Sequence, residues 1–157
     1  MTDTQRIAAV ILDERTVARR GPDIEQERKV AIHDLLQQNR FAPTGADGGP
    51  YRLHLGIEDQ SIVLDVRDEA DAAVARVTLA LAPFRRIIKD YFLICDSYCE
   101  AIKTATTARI ETIDMGRRGL HDEAADLLID KLKGRVDLDF GTARRLFTLL
   151  CALQVRA

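Results

Sequence analysis

From Tyr51 to Leu81 apolar residues recur at every second position, and from Pro83 onward they recur at every third or fourth. A period of two puts alternate side chains on opposite faces of a strand, whereas the longer spacing draws one stripe along a helix. The two stretches therefore fold into different layers. In the first, Tyr51, Leu53, Leu55 and Ile57 share a face opposed by Arg52, His54 and Glu58, and Asp59-Gln60 makes a tight turn. Ile62, Leu64 and Val66 then alternate with Val63, Asp65 and Arg67, Asp68 to Asp71 turn again, and Val74 to Leu81 form a last strand. Short strands joined by short acidic turns predict an antiparallel meander.

Upstream, residues 6–12 read as a strand and Arg19-Arg20-Gly21-Pro22 as a break. Asp23 is placed to cap a helix running to about Asn39, with Gln26 completing a capping box. Ile24, Ala31, Ile32, Leu35 and Leu36 give that helix a buried face, over which Phe41 closes. Pro43 to Pro50, with three glycines between them, read as a mobile surface loop spanning about 42–50.

Downstream, Pro83 opens a long helix whose stripe comprises Phe84, Ile87, Ile88, Tyr91, Cys95, Tyr98, Cys99 and Ile102. The weak helix formers Thr104 to Thr107 predict a break. A short helical piece through Ile110 and Ile113 is expected to stop at Gly116. A further helix carries Leu120, Ala124, Leu127, Leu128 and Leu132 and ends at Lys133-Gly134. The last helix begins near Thr142 and carries Ala143, Leu146, Phe147, Leu150, Cys151 and Leu153. The whole chain, 1–157, is expected to form a single α+β domain. Its antiparallel sheet has about four strands (the N-terminal strand plus the three-strand meander), with one face covered by four or five helices.

A net charge of -2 disfavours a dedicated nucleic-acid binder, because phosphate contacts supply most of such a protein's affinity. The apolar runs fall well short of the roughly 20 residues that span a bilayer, so no membrane association is expected. The first residues, Met-Thr-Asp-Thr-Gln-Arg, lack a secretory pattern, which points to the cytoplasm. Cys95, Cys99 and Cys151 sit in apolar helical sequence and read as core thiols. Cys95 and Cys99, four residues apart, lack the partner spacing of a zinc site, and neither a metal nor a cofactor is expected.

Unusual chemistry is densest between Asp114 and Arg145. Arg117-Arg118 and Arg144-Arg145 each lie near a glycine, a carboxylate and an expected helix start, with His121 between them. Guanidinium groups hold carboxylate or phosphate through paired hydrogen bonds, and helix starts attract anions. Arg117, Arg118, Arg144 and Arg145 are thus the candidate ligand-binding residues. The bland alternative is that Asp114, Asp122, Glu123, Asp137 and Asp139 neutralise them as ordinary ion pairs. His121 is the weak catalytic candidate, with Asp114 or Glu123 assisting. A neighbouring carboxylate is expected to raise its pKa toward a useful acid/base range. Arg85, Arg86 and Lys89 form a second basic cluster. His33 and His54, on a helix and an edge strand, have no ligand partners in sequence. Serine nucleophile elbows, glycine-rich phosphate loops and His-Glu-x-x-His patterns are absent.

The runs Ile113-Asp114-Met115-Gly116-Arg117-Arg118-Gly119-Leu120-His121 and Thr142-Ala143-Arg144-Arg145-Leu146-Phe147-Thr148-Leu149 resemble an alphaproteobacterial family of uncharacterised proteins of the UPF type. The opening Ile-Leu-Asp-Glu and the stretch Pro83 to Tyr91 fit the same family. The resemblance implies a bacterial cytoplasmic protein and carries no activity, cofactor or catalytic residue. On the residues alone, the first expectation is a non-catalytic binding or adaptor protein, a candidate homodimer, recognising a small anion or an acidic protein partner through the arginines. The alternatives are a small-metabolite enzyme using His121 as acid/base, and an RNA- or ribosome-associated protein.

Overall fold

A computed structural model describes residues 4–13, 22–46 and 48–153, with the backbone alone for 22–25 and 27. The elements are β1 (Ile7–Leu12), α1 (Pro22–Gln37), β2 (Phe41–Pro43), β3 (Tyr51–Glu58), β4 (Ser61–Arg67) and β5 (Ala73–Ala80). A 3-10 turn (Ala82–Phe84) leads into α2 (Arg85–Thr104), α3 (Thr107–Leu132), β6 (Val136–Leu138) and α4 (Phe140–Leu153). The fold is α+β, as the change of period requires.

The larger sheet has the order β1-β3-β4-β5. Its meander is antiparallel, with Leu55 opposite Leu64 and Leu64 opposite Val77, so apolar residues align in rows across the strands. Asp59 and Gln60 both adopt positive φ, 47° and 67°, the conformation a two-residue hairpin turn demands. The first strand departs from expectation: β1 lies parallel to β3. The helix α1 separates them in sequence, and a helical crossover returns the chain in its original direction. His54 consequently sits on an interior strand, not an edge one.

Tyr51, Leu53, Leu55, Ile62, Leu64, Val66, Val77 and Leu79 are buried on one sheet face. The other face carries Arg52, His54, Asp65, Arg67 and Arg76, where Arg67 spans Asp65 and Asp71 at 2.9 Å each. Phe41 does close over the core, fully buried and edge-on to Tyr51 with ring centroids 6.5 Å apart. It also belongs to a small sheet that the sequence did not predict, in which Phe41 pairs with Leu138 and Pro43 with Val136. Three-residue strands are too short to display a period. The expected loop at 42–50 therefore begins as a strand, and Thr44 continues the pairing by donating to the Arg135 carbonyl at 2.8 Å. Within the loop, Gly49 has φ +110° and a Cβ there would overlap the Thr4 carbonyl, so a side chain is excluded.

The Thr104–Thr107 break is present, with Thr106 capping α3 through its side chain. The expected break at Gly116 is not: α3 runs unbroken from Thr107 to Leu132. A Cβ on Gly116 would come within 2.7 Å of Ile94 Cδ1, so this glycine permits close approach of α2 instead of ending a helix. Arg117 and Arg118 thus lie in mid-helix, and Asp122 and Glu123 lie outside any first turn. The last helix starts at Phe140, before Thr142, and Asp139 Oδ1 accepts the Thr142 amide at 2.9 Å in the manner of a cap. Asp23 lies inside α1, and the capping box proposed for it, like the break at 19–21 and the buried position at Ile24, falls outside the described residues. Cys95 and Cys151 are buried and Cys99 half-buried, and none of the three is in a disulfide. Among the described residues no helix is long and apolar enough to cross a membrane.

Asn39 joins the two halves of the crossover. Its side chain accepts the Ile7 amide at 2.7 Å and donates to the Ile7 carbonyl at 3.0 Å and the Leu35 carbonyl at 2.7 Å. The end of α1 is thereby tied to the start of β1, which among the described residues is an edge strand of its sheet. Asn39→Ala leaves the amide of fully buried Ile7 without a partner and is expected to lower stability by about 2–3 kcal/mol, read as a lower urea midpoint at unchanged slope.

Candidate functional site

Residues of the helices α1, α3 and α4 line a cavity of about 340 Å³. Helical spacing decides what lines it. Gly141, Arg144, Arg145 and Thr148 recur three, four and seven residues along α4, so they share one face. Arg117 and His121 stand one turn apart on α3, and Gln26, Val30, Ala31 and Asp34 form the α1 wall. Tyr91 from α2 completes the lining.

His121 stands at the centre of this arrangement. Its ring lies 5.0 Å from that of Tyr91 and 6.0 Å from that of Phe147, and its Nε2 is 3.4 Å from Thr148 Oγ1. Burial among these groups, followed by the positive charges of Arg144 and Arg117, pushes its pKa down to about 4, against weaker opposition from Asp122 and Asp114. The sequence expectation was the reverse, a carboxylate raising it. The neighbours in space that dominate are cations, and at neutral pH the imidazole is uncharged.

The cavity arginines differ in how they are held. Arg117 Nη2 donates to Asp114 Oδ1 at 2.7 Å, and its guanidinium lies 4.9 Å from the centre of the Tyr98 ring. Arg144 Nε is 3.4 Å from Asp122 Oδ1 but lacks hydrogen-bond geometry, so its charge is partly offset while the buried donor stays unsatisfied. Arg145 Nη1 reaches the Gln38 carbonyl at 3.4 Å, and among the described residues no carboxylate pairs with it.

Other sequence candidates lie outside the cavity lining. Arg118, 71% exposed, donates through Nε to the second oxygen of Asp114 at 3.1 Å. The Arg117 hydrogen bond, against a smaller effect of burial and with help from Arg118, holds the Asp114 carboxyl below its usual range. Glu123 is engaged by Arg86, which also pairs with Asp90 at 3.0 Å. Arg85, Arg86 and Lys89 are exposed and do not reach the lining. Thr148 and the four α1 residues were not singled out from the sequence; spacing from Arg144 and Arg145 along α4 would have found Thr148. The α1 residues carry no such signal, because the packing of α1 on α4 brings them in.

Fold and site together define an α+β sheet protein with an arginine-lined cavity between its helices. The chain belongs to the UPF0262 family, described as an uncharacterised protein family, whose model matches residues 4–156. A UPF0262 protein of Bradyrhizobium sp. (strain ORS 278) is 58% identical over 151 residues, covering 96% of this chain and 90% of its own length. Relatives in Nitrobacter winogradskyi and in Rhodopseudomonas palustris (strain BisB5) are each 57% identical over 148 residues, covering 94% of this chain and 89% and 91% of their own lengths. No solved structure matches the chain.

The lowered pKa of His121 gives stability a defined pH dependence. The unfolded imidazole takes up its proton below about 6.5 and the folded one only below about 4, so the unfolded state holds more protons between these values. Stability should therefore fall as pH drops through this window. His121→Gln should flatten the urea midpoint between pH 6.5 and 4, whereas an unchanged slope would assign the loss to other groups.

Proposed function

We propose that this protein is a cytoplasmic, non-catalytic binding protein that holds a small oxyanion, carboxylate or phosphate, through Arg117, Arg144 and Arg145. The observation that carries the reading is that three arginines line one cavity, with Arg145 unpaired by any described carboxylate. An oxyanion there receives charge-assisted hydrogen bonds, and a guanidinium drawn onto it would relieve the unsatisfied Arg144 donor. Neutral His121 supplies a further polar contact at no cost in charge.

The acid/base enzyme reading has less support. General acid–base catalysis works best with a pKa near the operating pH, and His121 lies well below neutrality. Asp114 and Glu123 are occupied by arginines. RNA association has less support too, since Arg86 and Arg118 are both engaged with carboxylates.

Sulfate, which stays a dianion across the pH range of interest, is the direct probe. Calorimetric titration should show one site per chain, weakened about tenfold or more by Arg144→Ala combined with Arg145→Ala, the scale of one or two lost charge-assisted hydrogen bonds. Arg118→Ala and Arg85→Ala should change little. Because a bound anion favours the imidazolium, affinity should rise as pH falls from 7 toward 4, and His121→Gln should remove that rise. Sulfate binding that survives the double substitution would refute the assignment.

A further inference from the structure

The cavity that gathers three arginines also contains a carboxylate that none of them engages. Asp34 lines its α1 wall, and among the described residues no cation lies within ion-pair distance of it. The guanidiniums are drawn elsewhere: Arg117 to Asp114, Arg144 toward Asp122, and Arg145 to the Gln38 carbonyl. Opposite charges carried on different helices thus line one cavity of about 340 Å³ without pairing with each other. Ala31, Tyr91 and Val30, the last 46% exposed, add apolar groups to the same lining. The volume lies at the small end of ligand sites, which run from about 300 to 1,000 Å³.

We infer that the ligand is a small dipolar metabolite of amino-acid size. Its oxyanion meets Arg144, Arg145 and Arg117, a short aliphatic body lies on Val30 and Ala31, and an ammonium group meets Asp34. This rests on the oxyanion reading above and extends it to specificity. Asp34 repels a plain anion and attracts one that carries a compensating cation, so the same residue selects for one class and against the other.

Phosphoethanolamine and n-propyl phosphate test this, because they share a phosphate and a chain length and differ by an ammonium in place of a methyl. The full-length protein should bind phosphoethanolamine about tenfold more tightly in calorimetric titration, the scale of one charge-assisted hydrogen bond. Asp34→Asn should move the two affinities in opposite directions, weakening phosphoethanolamine and strengthening n-propyl phosphate. An unfolded or destabilised variant would weaken both, and Asp34→Ser provides a second neutral replacement at this partly exposed position. Equal affinities in the unaltered protein, or a parallel shift of both ligands in the variants, would overturn the dipolar ligand. Sulfate binding without preference for the amine leaves the oxyanion site standing and removes this inference alone; failure of sulfate and both phosphates to bind removes the two together.

Discussion

Of the residues in α4, Thr142, Ala143, Leu146, Phe147 and the run Leu149 to Leu153 are all buried, and a helix so apolar around its circumference must be enclosed by other elements. It is enclosed by α1 on one side and α3 on another, and it reaches β3 of the sheet. Its neighbours supply the matching surfaces: Ala31 and Leu35 from α1, Ala124, Leu128 and Leu132 from α3, and Tyr51, Leu53 and Leu55 from β3. Phe147 of α4 packs edge-on to Tyr91 of α2, with ring centroids 5.6 Å apart. The constraint relaxes only in the first turns of α4, where Arg144 and Arg145 emerge. There residues of α1 and α3 line the cavity with those of α4.

That placement accounts for the electrostatics. Residues at the rim of a packed helix are half-desolvated, so each arginine needs compensation or pays a penalty. Arg117 finds it in Asp114 one turn away on its own helix, whereas Arg144 finds only an imperfectly oriented Asp122 on a neighbouring helix. Arg145 depends on a carbonyl at the end of α1. Burial, and after it the positive charges of Arg144 and Arg117, keep His121 neutral, and Asp34 lines the same cavity.

The meander and the helical stripes were legible because each repeats a period over many residues, as in Tyr51 to Leu55 or Leu146 to Leu153. The paired strands β2 and β6 were not, since three residues carry no period and their partner lies about a hundred positions away. Gly116 was misread as a stop because a glycine looks the same in sequence whether it ends a helix or lets Ile94 approach. Arg117, His121, Arg144 and Arg145 were recognisable as chemically unusual, but their sorting was not: Arg118, one residue from Arg117, points elsewhere because neighbours on a helix differ by about 100°.

The sequence by itself determined the layers, the strand and helix faces, and the presence of clustered arginines, because these depend on local period and composition. Only the tertiary structure decided that β1 runs parallel to β3 and that α3 is continuous. It alone decided that three of the four arginines line one cavity with Asp34, and that His121 titrates below its ordinary range instead of above it. Each of these turns on which groups from distant segments come within a few ångströms. That proximity is set by the burial of α4 against its neighbours, and no stretch of the chain encodes it alone.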